Sequence, residues 1–304
     1  STKYWGLQTI RESIEWSINV NAAKVAQSVG LQTSVDYLKK MGITSVVESG
    51  AYNDMNLSAM ALGGMARGVS PLEMAQAYGS IANGGVLNAT TTFTKVIDNR
   101  GNIILENEPF LTRVADQKAA YILRDMPRTT VTNGLAKVAA IRSGNLGIPV
   151  AGKTGTTSNQ MDAWFVGFTP YYTASVWFGN DVNMPLDQGS KVAAQFWNHV
   201  MTTVHEGYEN RDFKAVNGLV TLAVDTKSGM LPSELSALDP RGTVKTELFI
   251  PGTEPTLVDN VHVEALICKD SNLLANEFCP AESVETRVLV KRPVPLSPAD
   301  LAMV

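Results

Sequence analysis

The sequence predicts an α+β protein, in which an antiparallel sheet is flanked by helices (an α/β sandwich with a helical subdomain) and a small β-rich unit follows. Apolar residues recur at helical spacing over roughly the first eighty residues. Three short strands follow between residues 149 and 178. After residue 207, prolines and glycines recur among short β-rich runs. We therefore predict a main domain over residues 1–207 and a smaller unit over residues 208–304.

Helix signals are clearest in the first half of the chain. Ser70 begins a helix with Pro71 in its first turn and Glu73 at the reciprocal capping-box position. Gly30 is placed to end one helix, and Ser34 is placed to cap the next. The predicted helices cover residues 9–17, 21–29, 34–41, 70–83, 114–126 and 190–205.

Strand signals begin with a hairpin around an Asp-Asn-Arg-Gly turn and continue in the second half of the main domain. A Thr-Pro-Tyr-Tyr turn makes the last two strands of that domain an antiparallel pair. The predicted strands cover residues 91–97, 102–105, 149–157, 163–168, 173–178 and 218–224. Prolines predict an extended tail at residues 291–298.

Composition excludes several classes of protein. The 304 residues carry 25 Lys+Arg and 29 Asp+Glu, a net charge of -4, and the basic residues are scattered. A protein that neutralises phosphates carries a basic stripe, so we expect no nucleic-acid partner. The most apolar stretch, residues 57–66, is shorter than the roughly 18 residues of a spanning helix. Because the chain opens without Met or a signal peptide, we expect it to be a piece of a longer protein.

Cysteines and histidines show no metal-site spacing. The chain has two cysteines, Cys268 and Cys279, and His262 is the nearest histidine. The cysteines predict either one disulfide that closes a short loop or two unpaired thiols. His199 and His205 do not share a helix face, and we expect them to be surface side chains. We expect no metal and no cofactor.

The strongest candidate for chemistry is the run Lys153-Thr154-Gly155-Thr156-Thr157. On a strand, the lysine and the hydroxyls alternate along one edge of a sheet, and Gly155 lets a substrate backbone approach. A lysine beside threonine hydroxyls forms a site for a carboxylate. The alternative is an exposed lysine in a polar β-turn.

A phosphate-binding loop is a rival interpretation of the same run. Residues 147–154 formally match the pattern G-x-x-x-x-G-K-[ST]. That loop follows a strand and opens a helix, whereas this segment is itself a predicted strand that enters a hairpin. Pro149 also lacks the N–H group that would contact a phosphate. The context therefore disfavours nucleotide binding.

Two Ser-x-Asn tripeptides are further candidates. Ser17 and Asn19 fall at the break between two predicted helices, where rigid flanks hold a hydroxyl and an amide outward. Ser143-Gly144-Asn145 lies in a polar loop and is interpreted as a turn. The acidic residues show no paired-carboxylate signature; examples are Asp54, Glu73 and Asp162.

Longer stretches resemble the transpeptidase domain of class A (bifunctional) penicillin-binding proteins of the Gram-positive type. They are residues 7–24, 68–79, 150–157 and 162–170. The resemblance covers residues 1–207, and the C-terminal unit is similar to the small extension of Gram-positive members. The motifs of this superfamily are S-x-x-K, S-x-N and K-T-G. By position, Ser17 and Asn19 match S-x-N, and residues 153–155 match K-T-G.

The resemblance implies a serine D,D-transpeptidase that cross-links peptidoglycan and is inhibited by β-lactams. Lys153, Thr154 and Thr156 would bind the terminal carboxylate of a D-Ala-D-Ala donor, and the N–H of Thr156 would be half of the oxyanion hole. The implied substrate-binding residues are Thr154, Gly155, Thr156 and Thr157. The implied partners are the donor stem peptide, an amine acceptor and β-lactams.

The resemblance also implies catalytic roles for Ser17, Asn19 and Lys153. Ser17 would relay a proton toward the leaving D-Ala amine, and Asn19 would hydrogen-bond both the donor peptide and Lys153. The nucleophile of the family is the Ser of S-x-x-K, which a nearby Lys activates. No Ser in this chain has Lys three residues later.

We therefore expect the nucleophile on an absent N-terminal segment, together with a membrane anchor and a glycosyltransferase domain, and we expect this piece alone to be inactive. The domain would lie at the extracytoplasmic face of the bacterial membrane. One alternative is a non-catalytic module that binds peptidoglycan peptides or acts as a scaffold. Another is a β-lactamase, although no motif for activating the deacylating water is evident.

Overall fold

The computed structural model describes residues 6–141 and 147–291, which form two compact units. The larger unit lies within residues 10–217, and the smaller one comprises residues 6–9 and 218–291. The domain boundary that the composition predicts lies after residue 207. The Ser143-Gly144-Asn145 tripeptide and the predicted tail beyond Lys291 lie outside the described residues.

The larger unit contains most of the helices, and the smaller one is built mainly of strands. The α-helices of the described residues are α1 (Ile10–Glu15), α2 (Asn19–Val29), α3 (Leu31–Lys40), α4 (Leu57–Leu62), α5 (Pro71–Ala82), α6 (Gln117–Asp125), α7 (Arg128–Thr132), α8 (Lys191–Val204) and α9 (Glu234–Ala237). The strands of the larger unit are β1 (Val86–Asn88), β2 (Lys95–Ile97), β3 (Ile103–Glu106), β4 (Leu111–Arg113), β5 (Ala151–Thr156), β6 (Ala163–Phe168) and β7 (Thr173–Phe178). Those of the smaller unit are β8 (Val220–Asp225), β9 (Val244–Phe249), β10 (His262–Cys268), β11 (Leu273–Leu274) and β12 (Val284–Val290).

The predicted capping box at the start of α5 is confirmed. The Ser70 hydroxyl accepts from the Glu73 N–H at 3.2 Å, and the Glu73 carboxylate accepts from the Ser70 N–H at 2.9 Å. Glu73 also accepts from the backbone N–H groups of Thr44 and Ser45 at 2.8 and 3.0 Å. Burial opposes its ionisation, but the hydrogen bonds from Ser70 and Thr44 outweigh burial and hold its pKa at about 2. One carboxylate thus fixes the start of α5 to the loop that follows α3.

The predicted start of the third helix is wrong by one turn. Gly30 ends α2, as predicted, with φ of 88°, and α3 begins at the next residue. Ser34 is therefore inside α3, where its hydroxyl donates to the carbonyl of Gly30 at 2.9 Å. A serine in the first turn of a helix and a serine at its cap have the same local sequence signal, because both satisfy a nearby backbone group.

The central sheet of the larger unit has helices on both faces. Its strands run in the order β5-β6-β7, and both neighbouring pairs are antiparallel. On one face, Phe165 of β6 packs edge-on against Trp197 of α8, with 5.2 Å between ring centroids and both side chains fully buried. On the other face, Phe168 of β6 lies 6.5 Å from the ring of Tyr78 in α5. This arrangement confirms the predicted α/β sandwich.

Two small β-pairs lie outside the central sheet. The predicted hairpin forms as β2 and β3, but β2 begins at Lys95 because the Thr91 hydroxyl donates to the carbonyl of Phe93 in a turn. The sequence does not predict the β1–β4 pair, because strands of three residues show too little alternation of apolar and polar residues to be recognised. The helix predicted over residues 114–126 forms as α6 but begins only at Gln117, because the Asp116 side chain caps it, and α7 follows after Pro127.

The expectation of a surface histidine is wrong for His205. It follows α8 and is fully buried, with Nε2 at 2.8 Å from the Thr169 hydroxyl and Nδ1 at 2.6 Å from the carbonyl of Met201. Both ring nitrogens therefore have partners, so burial of the imidazole leaves no ring nitrogen unsatisfied. His199 is exposed, as expected.

The smaller unit consists of two antiparallel sheets. β8 pairs with β9 over six residues, and β10 lies between β11 and β12. α9 begins with a capping box formed by Ser233 and Ser236. Within the described residues of both units, no helix combines the length and apolar character needed to cross a membrane.

Candidate active site

Lys153 lies on the edge strand β5, opposite Val166 of β6. Its ammonium donates to the hydroxyl of Ser17 at 2.8 Å and to the carbonyl of Thr154 at 2.9 Å. Burial lowers its pKa from 10.5 to about 8, because the ammonium loses water that it would have in an unfolded chain. The two motifs that the sequence singled out therefore meet in the structure.

Ser17 occupies the junction between α1 and α2. Its φ is 56°, in the left-handed region that non-glycine residues adopt at a cost of about 1–2 kcal/mol. The junction is held from both sides, since the N–H of Ile18 donates to the carbonyl of Ser13 at 2.9 Å and the Asn21 amide donates to the Ser13 hydroxyl at 2.7 Å. The helix junction thus presents the Ser17 hydroxyl to Lys153 in a fixed direction.

Asn19 is the first residue of α2 and its side chain is exposed. The recorded acceptors of Lys153 are the Ser17 hydroxyl and the Thr154 carbonyl, so the implied bond from Lys153 to Asn19 is not among the contacts of the described residues. Asn19 lies two residues after Ser17 and stays a predicted catalytic residue that would hydrogen-bond the donor peptide. The buried Ser13 and the half-buried Asn21, which sequence reasoning missed, support the same junction.

The threonines of β5 follow the strand alternation. Thr154 pairs with Phe165 and Thr156 pairs with Ala163, both on the face covered by α8, whereas Lys153 points to the opposite face. Lysine and threonine hydroxyls can converge on one ligand only at the open edge of β5. Among the described residues, β6 is the one strand that pairs with β5, so this edge is unpaired.

Two glycines permit the close packing of β5. A Cβ at Gly155 would lie 3.2 Å from the Cβ of Trp164, and a Cβ at Gly152 would lie 2.7 Å from the carbonyl oxygen of Val166. The sheet itself therefore requires glycine at position 152. A Cβ at position 155 would force Trp164 to shift by a few tenths of an ångström, so the sheet favours Gly155 in addition to any role in admitting a substrate backbone.

The end of the candidate strand is held by Asp162, which sequence reasoning interpreted as an unremarkable acid. Its carboxylate accepts from the Thr157 hydroxyl at 2.9 Å and from the Trp177 indole at 2.9 Å. Its own N–H donates to the Thr157 hydroxyl at 2.8 Å. Asn159 and Gln160, in the turn between them, have φ of 58° and 55°. The sequence carries a signal for this role, because an acid five residues after Thr157 is placed to close a tight connection between two predicted strands.

The cysteines lie in the smaller unit as free thiols. Cys268 ends β10 and is buried, whereas Cys279 is partly exposed. A hydrogen bond from Cys279 lowers the pKa of the Cys268 thiol. For Cys279, a hydrogen bond with the Asn276 backbone lowers the thiol pKa, but the bond to Cys268 and burial outweigh it and raise that pKa. The two side chains are thus neighbours, and the disulfide stays a prediction.

Comparison with known proteins identifies the class. The penicillin binding protein transpeptidase domain family matches residues 1–202, and the penicillin-binding protein 1A C-terminal domain family matches residues 216–264. The central sheet and its helices thus lie within the segment that matches the transpeptidase domain family.

The curated relatives extend the comparison over most of the chain. Penicillin-binding protein 1A of Clostridium botulinum is 39% identical over 95% of this chain and 34% of its own length. Its counterpart in Clostridium novyi is 36% identical over 95% of this chain and 33% of its own length. The chain therefore belongs to the penicillin-binding protein family, with a transpeptidase domain followed by the C-terminal domain of the 1A type, and it spans about a third of the length of these relatives.

Solved structures share the fold. Penicillin-binding protein 1A from Haemophilus influenzae aligns with a TM-score of 0.68 at 23% identity, over 83% of this chain and 41% of that one. The penicillin-binding protein PonA1 from Mycobacterium tuberculosis, solved in complex with penicillin V, aligns with a TM-score of 0.59 at 21% identity, over 68% of this chain and 58% of that one.

Proposed function

We propose that this chain supplies the S-x-N and K-T-G parts of a serine D,D-transpeptidase site that cross-links peptidoglycan. The observation that carries the proposal is the 2.8 Å hydrogen bond from Lys153 Nζ to Ser17 Oγ, which joins the two motifs. The nucleophilic serine would come from an S-x-x-K motif outside the 304 residues, because no serine among them has lysine three residues later.

The donor peptide would bind along the open edge of β5. Lys153 and the hydroxyls of Thr154 and Thr156 would hold the terminal carboxylate of D-Ala-D-Ala. Gly155 and Thr157, which follows β5, would complete the substrate-binding run. The N–H of Thr156 would donate to the oxyanion that forms at the attacked carbonyl. Losing one such donor typically costs about 10²–10³ in rate.

Proton movement would pass through Ser17. The nucleophile attacks the carbonyl of the penultimate D-Ala, the peptide bond breaks, and the terminal D-Ala leaves as an amine that gains a proton. Ser17 can deliver that proton because Lys153 donates to its oxygen and leaves its own O–H free to donate onward. Asn19 would orient the donor peptide. An amine of a second stem peptide then attacks the acyl-enzyme and completes the cross-link.

β-Lactams would acylate the same serine. An anchor elsewhere in the longer protein would hold the site at the extracytoplasmic face of the membrane. The complex of the M. tuberculosis neighbour with penicillin V supports this ligand class. Relatives about three times as long as this chain support an origin in a larger protein.

The test is covalent labelling of a longer chain, which includes the preceding S-x-x-K segment, with fluorescent penicillin. We expect labelling of the parent chain and its loss in Lys153→Ala. Lys191→Ala is the matched control, because Lys191 is exposed at the start of α8. Labelling of Lys153→Ala at the parent rate would overturn the site, and a longer chain without labelling would favour a non-catalytic peptide-binding module.

A further inference from the structure

The smaller unit contains a buried cluster of two carboxylates and an imidazole. Asp225 ends β8, His262 begins β10, and Asp259 precedes it in the connecting loop. One oxygen of each aspartate and one ring nitrogen of His262 all lie within 4.8 Å of one another. The exposed fractions are 0% for Asp225, 8% for Asp259 and 5% for His262. Sequence spacing does not reveal this group, because Asp225 comes from a separate segment, 34 residues before Asp259.

The imidazole is oriented as a metal ligand would be. Nδ1 lies 3.0 Å from Asp259 Oδ2 and 3.9 Å from Asp225 Oδ2. Two ligands of a tetrahedral zinc ion, each about 2.0–2.1 Å from the metal, are about 3.3 Å apart, and the two distances bracket that value.

The opposite ring nitrogen has the partner that metal sites usually provide. Nε2 lies 2.9 Å from Asp239 Oδ2, and Arg241 holds Asp239 through an Nε–Oδ1 bond of 2.8 Å. A histidine that binds metal through one nitrogen almost always donates its other N–H to a carboxylate or carbonyl, which fixes the ring. His262 thus turns Nδ1 toward Asp225 and Asp259, with Asp239 behind it.

Asp225 supplies an independent observation. Its Oδ2 accepts from the N–H groups of Lys227 and Ser228 and from the Ser228 hydroxyl, at 3.0, 2.8 and 2.9 Å. Its Oδ1 is buried and has no hydrogen-bond partner among the described residues. A buried carboxylate oxygen without a donor is costly, and a cation or an ordered water would compensate it.

The net charge of the cluster also favours a bound cation. Asp225, Asp239 and Asp259 bring three negative charges, and Arg241 brings one positive charge. Even with His262 protonated, one negative charge stays uncompensated within the group. Buried charges are normally paired or coordinate metals.

We propose that Asp225, Asp259 and His262 bind a divalent ion of the zinc type, with Asp239 as the carboxylate that orients His262. An imidazole nitrogen with two carboxylates suits zinc and its transition-metal neighbours better than calcium or magnesium, which prefer oxygen ligands alone. The ion would fasten the end of β8 to the start of β10. The rival occupant of the same space is a proton on Nδ1, which would make His262 an imidazolium ion bonded to two carboxylates.

The experiment uses the purified 304-residue chain, freed of metal with a chelator and titrated with zinc chloride by calorimetry. We expect one zinc per chain, release of the competing Nδ1 proton where it is present, and a higher midpoint of thermal unfolding with zinc. Magnesium chloride should produce neither binding nor stabilisation at the same concentration.

His262→Gln should lose the zinc response, and His199→Gln should keep it, because His199 is exposed on α8. Asp225→Asn is the second variant, since it retains the shape of the side chain and should also weaken zinc binding by tenfold or more. Equal zinc binding by the parent chain and His262→Gln would overturn the proposal. So would the absence of zinc binding by a folded parent chain, which would assign His262 to the imidazolium arrangement.

Discussion

The hydroxyl of Ser17 accepts a hydrogen bond from the ammonium of Lys153 at 2.8 Å, although 136 positions of sequence separate the two residues. The contact joins a helix junction to the edge strand of the central sheet. It also accounts for an unfavourable feature of each residue. Ser17 has a costly left-handed backbone conformation, and Lys153 is a partly buried cation.

Removing the Ser17 hydroxyl should slow acylation by penicillin in the longer chain by about 10²-fold or more, as expected for loss of a proton relay. Ser17→Ala and Ser17→Gly should slow it equally, because both lack the hydroxyl. Stability should separate them, since alanine retains a Cβ at positive φ and glycine does not. We expect the glycine variant to exceed the alanine variant by about 1 kcal/mol in free energy of unfolding, measured with urea. Equal rates for Ser17→Ala and the parent chain would refute the relay.

Acylation should depend on pH through Lys153. Burial lowers its pKa to about 8, so the ammonium that binds carboxylate and donates to Ser17 is lost as the pH rises through that value. The second-order acylation rate should therefore fall above pH about 8 in stopped-flow measurements. Lys153→Arg stays charged and should not show that decline, whatever its absolute rate. If the acylation rate of Lys153→Arg falls above pH about 8 as it does in the parent chain, the decline belongs to another group.

The same shift predicts a pH dependence of stability. Between about pH 8 and 10.5 the unfolded chain keeps the lysine proton that the folded chain has lost, so the free energy of unfolding rises with pH. Relative to the parent chain, Lys153→Met should lack this rise. The difference between the two urea-unfolding curves across that range is the measurement. Parallel pH dependences in the two proteins would contradict the lowered pKa.

Glu73 should stabilise the larger unit through its bonds to Ser70, Thr44 and Ser45. Glu73→Ala should lower the free energy of unfolding by about 2 kcal/mol at neutral pH, as for loss of charged hydrogen bonds. Glu108→Ala, an exposed substitution, is the control. Because the pKa of Glu73 falls from 4.5 to about 2 on folding, its contribution is complete above pH 4.5 and is lost as the pH falls toward 2. A constant difference between variant and parent across that range would show that the carboxylate does not provide it.

Asp162 should act as a positioning residue for the end of β5. Asp162→Ala frees both the Thr157 hydroxyl and the Trp177 indole, and we expect the acylation rate to fall roughly tenfold through misplacement of the strand. Asp162→Asn keeps an acceptor oxygen and should recover part of the rate. Asp181→Ala, on an exposed loop residue, should leave it unchanged. Identical rates for the alanine and asparagine variants would argue against positioning by these hydrogen bonds.

The sequence predicts the elements of this fold better than their contacts. The capping box at Ser70 and the three central strands are local signals, because caps and alternation depend on neighbouring residues. Ser34 shows the limit of such signals, since its hydroxyl satisfies a backbone group from inside the helix. Short strands such as β1 and β4 lack enough alternation to be predicted.

Within the candidate site, the motifs identify Ser17 and Lys153, but their contact follows from tertiary structure. The supports at Ser13, Asn21 and Asp162 carry no motif, and their roles appear only when the chain is folded. Burial of His205 likewise depends on Thr169, a residue in the turn between β6 and β7.

The central claim, that Ser17 and Lys153 act as one pair, is tested most directly by a double-mutant cycle on the rate of penicillin acylation. The parent longer chain is compared with Ser17→Ala, Lys153→Met and the double variant. Residues that act as a unit give non-additive effects, so the double variant should be about as slow as the slower single variant. A double variant slowed by the full product of the two single effects would show that the residues act independently and would contradict the account.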